Sequence, residues 1–152
     1  MLQQAQLRRA LSTAAGVPMV MTTHSDDDCR AFAQRVDLSA LSQQGPVTPD
    51  HIIRTKRIPM LGSNVEAYAR NYKTYFDEHA PAAKEPKTML DPAPRMVLDP
   101  AFGLATAGRS AKDASIVAEL YQSKHSGAGS QRKRRQSRQR CTRSSPTLAA
   151  AQ

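Results

Sequence analysis

The sequence has no tryptophan, and Phe and Tyr together make up 5% of it. So lean an aromatic supply allows one modest core in 152 residues, about one domain by length. The two cysteines, Cys29 and Cys141, lie far apart, which excludes a disulfide framework. Nothing contradicts a reducing compartment, and the expected location is the cytoplasm. No apolar run approaches the roughly 18 residues of a membrane span, so no membrane partner is expected. The first sixteen residues lack the apolar stretch of a secretory signal.

Several catalytic signatures are also missing. The seven glycines never form G-x-G-x-x-G, and there is no P-loop and no G-x-S-x-G elbow. No Tyr stands four residues before a Lys. The histidines, His24, His51, His79 and His125, are scattered singly, without a metal-ligand spacing. The expectation is a chain with no catalytic residue, metal ligand or cofactor-binding residue of its own. Cys29 reads as a buried, inert thiol, since reactivity needs a tuned environment.

Acid is absent from the last thirty residues. Residues 1–122 hold 14 Lys+Arg and 13 Asp+Glu, whereas residues 123–152 hold 8 Lys+Arg and no acid. Nearly all of the +9 formal charge is therefore a property of the tail. The tail has no apolar period and a dense block from Arg132 to Arg143. It cannot bury enough apolar surface to offset the entropy of ordering and is expected to be disordered. Two domains are thus expected, an α/β body over 1–122 and a basic tail over 123–152. The tail could contact nucleic acid non-specifically through phosphates. A small nucleic-acid-binding protein acting through it is the alternative function.

The body alternates helix and strand. Leu2, Leu7, Ala10, Leu11 and Ala14 recur at helical spacing, and Gly16 stops the helix. Val17–Thr22 reads as a short buried strand. Ser25 is the expected N-cap of a helix whose first turn carries Asp26, Asp27 and Asp28. Asp37–Gln44 gives a further turn or two. Thr48-Pro49-Asp50 is a strong helix start, followed by one or two turns over His51–Lys56. Ile58–Leu61 is a weak strand. Asn64 caps a helix over Val65–His79, whose Val65, Tyr68, Tyr72, Tyr75 and Phe76 predict an apolar, core-facing stripe. Pro81–Pro94 is a loop. Arg95–Asp99 is a strand, and Leu104–Ala107 is a second one or the same strand continuing after a turn at Pro100–Gly103; Ser110 with Asp113 opens a last helix with Ile116, Val117, Leu120 and Tyr121 inward. The fold class is α/β, a short mixed sheet with flanking helices.

The densest polar cluster of the body is Gly45–Arg57, GPVTPDHIIRTKR. A helix start beside cations can hold an anionic group, so His51, Arg54, Lys56 and Arg57 are the candidate substrate- or anion-binding residues. The plainer alternative is a capped helix with solvated cations, and the pattern alone favours it.

GPVTPDHIIRTKRIP (Gly45–Pro59) resembles a segment of the bifunctional class II aldolase/short-chain dehydrogenase proteins of the rhamnulose-phosphate aldolase/alcohol dehydrogenase type. The likeness extends through Leu7–Leu41, through NVEAYARNYKTYFDEHAP (Asn64–Pro81), and through LDPAPRMVLDPAFGLATAGRSAKDASIVAELY (Leu90–Tyr121). The string T-P-D-H-x-x-R-T-K is its most specific part. The resemblance implies a place between a zinc-dependent aldolase domain and an NAD-binding dehydrogenase domain, both of which would be partners. It implies a parent activity in carbohydrate metabolism, with a sugar phosphate as substrate, a divalent metal and NAD as cofactors, and little activity in this chain alone. Class II aldolase domains end in a strand with His-Gly, a short strand, Gly-Arg/Lys-Thr/Ser and a helix. Arg95–Leu120 has that rhythm, with Phe102 at the ligand position, which implies a degenerate aldolase-like half that packs rather than reacts. The likeness stops after Tyr121, where the composition changes as translation in another frame would change it. A truncated or frame-disrupted product is expected, with a functional basic tail as the competing reading.

Overall fold

The structure, a computed structural model, describes residues 2–45 and 51–121. Thr48-Pro49-Asp50 and the tail lie outside the described residues. The first helix, α1 (Leu2–Ala15), buries Leu7 and Leu11 and ends at Gly16, whose φ of 69° only glycine adopts without strain. Strand β1 is Val20–His24. Helix α2 (Asp27–Ala33) is capped by Asp26, whose carboxylate accepts the Cys29 N–H at 3.0 Å. The cap is therefore Asp26 rather than Ser25. Both residue types can cap, but the helix begins one residue later than expected. Cys29 itself is half-buried rather than buried. A short α3 (Leu38–Ser42) follows, and then the single turn α4 (Ile52–Thr55).

Strand β2 has two residues, Met60–Leu61. Helix α5 (Val65–His79) starts where Asn64 Oδ1 accepts the Ala67 N–H at 2.9 Å. Its apolar stripe turns outward along its length. Val65 and Tyr68 are buried, Tyr72 and Phe76 are half-buried, and Tyr75 is exposed. A 3₁₀ turn at Ala80–Ala82 leads into the proline loop. Strands β3 (Met96–Asp99) and β4 (Gly103–Gly108) form a hairpin. Helix α6 covers residues 111–121 and is capped by Ser110, whose Oγ accepts the Asp113 N–H at 3.1 Å. Val117 is buried in it, whereas Ile116 and Leu120 are only half-buried.

The four strands form one mixed sheet in the order β1-β4-β3-β2. β4 pairs antiparallel with β1 and β3, while β2 runs parallel to β3. The sheet and its helices make the α/β architecture that the periodicities predict. Every residue of β3 and β4 is buried, as inner strands covered on both faces must be. Val97 pairs with Ala105, and both join Ala107, Leu7, Leu11, Met19, Met60, Val65, Tyr68 and Phe102 in the main core. α1 and α5 thus cover that face. The opposite face carries Met96, Leu98, Leu104 and Thr106. β1 departs from the expectation of a buried strand, because it is the sheet's edge and Val20 is 40% exposed.

Candidate functional site

The basic cluster does not fold as one surface. α4 is a single turn closed by the Lys56 N–H donating to the Ile52 carbonyl at 2.9 Å. At Lys56 the backbone turns sharply, with φ 62° and ψ 175°. That is a region which side-chain-bearing residues avoid, at a cost of order 1–3 kcal/mol. The turn sends the four candidate residues in different directions.

Arg54 points to α6, with its guanidinium 3.9 Å from the Asp113 carboxylate. Both side chains are about half exposed, so this pair contributes little stability. Arg57 lies over the Tyr75 ring at 4.5 Å. Tyr75 also stacks on His79, with ring centroids 4.2 Å apart. His51 stands at the N-terminal end of α4, and its carbonyl accepts the Thr55 hydroxyl at 2.9 Å. Its ring makes no polar contact among the described residues. Arg54 and His51 are therefore not brought together with Lys56.

Lys56 goes inward and is 1% exposed. Its ammonium donates to the Asp91 carbonyl at 2.5 Å and lies 4.7 Å from the centre of the Tyr72 ring. No carboxylate of the described residues lies within ion-pair distance of it. The Asp91 carboxylate is engaged elsewhere. One oxygen accepts from Arg95 Nη2 at 2.5 Å, and the other accepts the Ala93 N–H at 3.3 Å. Arg95 and Asp91 are themselves largely enclosed, with side chains 12% and 16% exposed. The Tyr68 hydroxyl donates to the Ile58 carbonyl at 2.9 Å.

The electrostatics follow from this enclosure. Burial lowers the Lys56 ammonium from its ordinary 10.5 to about 8, with Asp91 opposing and Arg95 adding to the effect. Burial also raises the phenols of Tyr68 and Tyr72. Arg95 Nη1 is buried without a hydrogen-bond partner, an expensive arrangement for a charged donor. The site is thus a cationic centre made by Lys56 and Arg95, with the one carboxylate of Asp91 paired to Arg95. Asp91 and Arg95 escaped the sequence reading because they lie in the proline loop and at the foot of β3. The available signal was D-P-A-P-R, an acid and a base four residues apart across two prolines.

The centre does not suit a metal ion, because its donors are mostly cations. Among the described residues no three His, Cys, Asp or Glu side chains gather as a metal site. Phe102 is buried core, and His24 pairs with the Thr106 hydroxyl at 3.4 Å. No helix of the described residues is long and apolar enough to cross a membrane.

Residues 2–128 match the family described as "Aldolase class II, second domain". The chain is 28% identical over 120 residues to a protein of Bacillus subtilis (strain 168) named "Uncharacterized oxidoreductase YuxG". The match covers 68% of this chain and 17% of that protein, so this chain corresponds to a small part of a much longer relative. No solved structure matches it.

Proposed function

We propose, starting from the fact that this chain belongs to the class II aldolase second-domain family, that it is the substrate-side domain of a longer sugar-metabolising enzyme. That enzyme would join aldol cleavage of a sugar phosphate, of the rhamnulose-phosphate kind, to NAD-dependent oxidation. The oxidoreductase name of the Bacillus relative and its greater length support the second half of this reading. Class II aldolases generally use a divalent metal. This chain offers it no ligand set among the described residues, so metal and NAD would both be held by other domains. The role left to this chain is to bind and orient substrate.

One observation carries that role. Lys56 is fully buried and held in a backbone conformation natural to glycine. A lysine is disfavoured on both counts, by desolvation and by strain. A purely structural turn of this shape would be served best by Gly, which adopts it without strain and buries no charge. Lys56 is therefore the charge that holds the substrate, while Arg54 is turned away to Asp113.

The test has two parts. Translating both flanks of the coding locus in all frames should reveal a histidine-bearing aldolase domain upstream and a G-x-G-x-x-G strand downstream. In the complete polypeptide, Lys56→Met should raise KM for the sugar phosphate roughly tenfold or more, the loss of one charged hydrogen bond. Unrelated flanks, or an unchanged KM, would overturn the reading.

A further inference from the structure

The geometry points to Arg95, with the Lys56 charge behind it, as a site for one small oxyanion, the phosphate or carboxylate end of a sugar derivative. The inference deepens the reading above and rests on Lys56 being the charge that holds the substrate.

The first argument is unmet donors. Arg95 spends Nη2 on Asp91 and keeps a buried Nη1 with no acceptor. A guanidinium presents its N–H groups in a planar fork suited to two oxygens of one oxyanion. Buried donors are rarely left unmet, and those that are call for an explanation.

The second argument is unmet charge. Lys56 and Arg95 bring two positive charges, and Asp91 returns one negative charge. The Lys56 ammonium meets only a neutral carbonyl and a ring face. Two enclosed cations sharing one carboxylate lack a second counter-charge, which is costly. An oxyanion at Arg95 Nη1 would supply that counter-charge and the missing acceptor together.

The third argument is access. Arg95 and Asp91 retain 12% and 16% of their side-chain exposure, whereas Lys56 is sealed. A ligand would arrive along Arg95 and Asp91, with Lys56 as the fixed charge behind them. Asp91 then has a second effect. Its carboxylate competes with the incoming anion for Arg95 and so weakens binding. That distinguishes a ligand site from an internal ion pair, because removing Asp91 should tighten a site and can only loosen a pair.

The test uses the full 152-residue chain at pH 7 and constant ionic strength. Its probes are inorganic phosphate and acetate, titrated separately. The readout is the ¹³Cε–¹Hε signals of the lysines, with Lys56 assigned from its disappearance in Lys56→Arg. Saturable movement of the Lys56 signal is expected with one probe or both, and the stronger probe identifies the ligand end. Arg95→Gln should raise Kd at least tenfold, Asp91→Asn should lower it several-fold, and the exposed control Arg70→Gln should leave it unchanged. If Arg95→Gln does not fold, the opposite-signed Asp91→Asn result still decides. Movement confined to tail lysines, or no movement at Lys56, overturns the proposal. Such a failure would leave the KM and flanking-domain tests of the broader reading untouched.

Discussion

At Lys56 the fold sets three costs against one another: a charge out of water, a strained backbone and an immobilised long side chain. The unfolded chain holds this ammonium charged up to about 10.5, and the folded chain only to about 8. Between those values the unfolded state binds more protons, so stability rises with pH. Near pH 10 the unfolded phenols begin to ionise, whereas burial keeps Tyr68 and Tyr72 neutral in the fold, which reverses the trend. The expected profile is a rise of roughly 2 kcal/mol from pH 8 to 10, read by urea denaturation. Lys56→Met should abolish it, and a rise that survives in that variant would refute the assignment. A second residue-scale expectation concerns Gly103. Its φ is 87°, and an added Cβ would lie 2.8 Å from the His24 carbonyl oxygen. Gly103→Ala should cost about 2 kcal/mol or more, from strain and displacement of β1, and an unchanged Tm would contradict this packing.

Caps and edges decide most at the scale of elements. Asn64 satisfies the Ala67 N–H at the start of α5, the helix that carries Tyr68, Tyr72 and Tyr75. Asn64→Ala should cost about 1 kcal/mol, and Asn64→Asp should preserve Tm. The bounds of α5 follow directly from its sequence, because cap, apolar period and terminal proline act locally. β1 was less legible. VPMVMT has the composition of a buried strand, but burial depends on a neighbour on each side, and β1 has only β4. Ser25 and Asp26 show the same limit at finer grain. Either can cap, and the choice depends on how the chain leaves the sheet.

For the molecule as a whole, the order β1-β4-β3-β2 places the small-residue strand GLATAG in the middle. Ala105 and Ala107 leave room for α1 and α5 to press Leu7, Leu11 and Val65 against the sheet. Ala105→Leu should overpack this face by about 1–3 kcal/mol. Leu11→Ala, at 0% exposure, should open a cavity worth about 2–5 kcal/mol. Thermal melts check both, and a neutral Ala105→Leu would mean the helices do not lie on that face.

The α/β class, the span of α5, the extended stretches that become β3 and β4, and the Ser110 cap of α6 were all legible in the chain. All of these follow from local periodicity, turn chemistry and capping, which act over a few residues. The sequence also drew attention to the Thr48–Arg57 segment through its density of polar groups. Where the described side chains of that segment go depends on contacts made in three dimensions. The turn at Lys56 parts it from Arg54 and His51 and joins it to Asp91, Arg95 and Tyr72, residues distant in the chain. Burial, and with it the lowered Lys56 pKa and the unmet Arg95 donor, depends on which surfaces meet. No local pattern in the chain encodes that meeting.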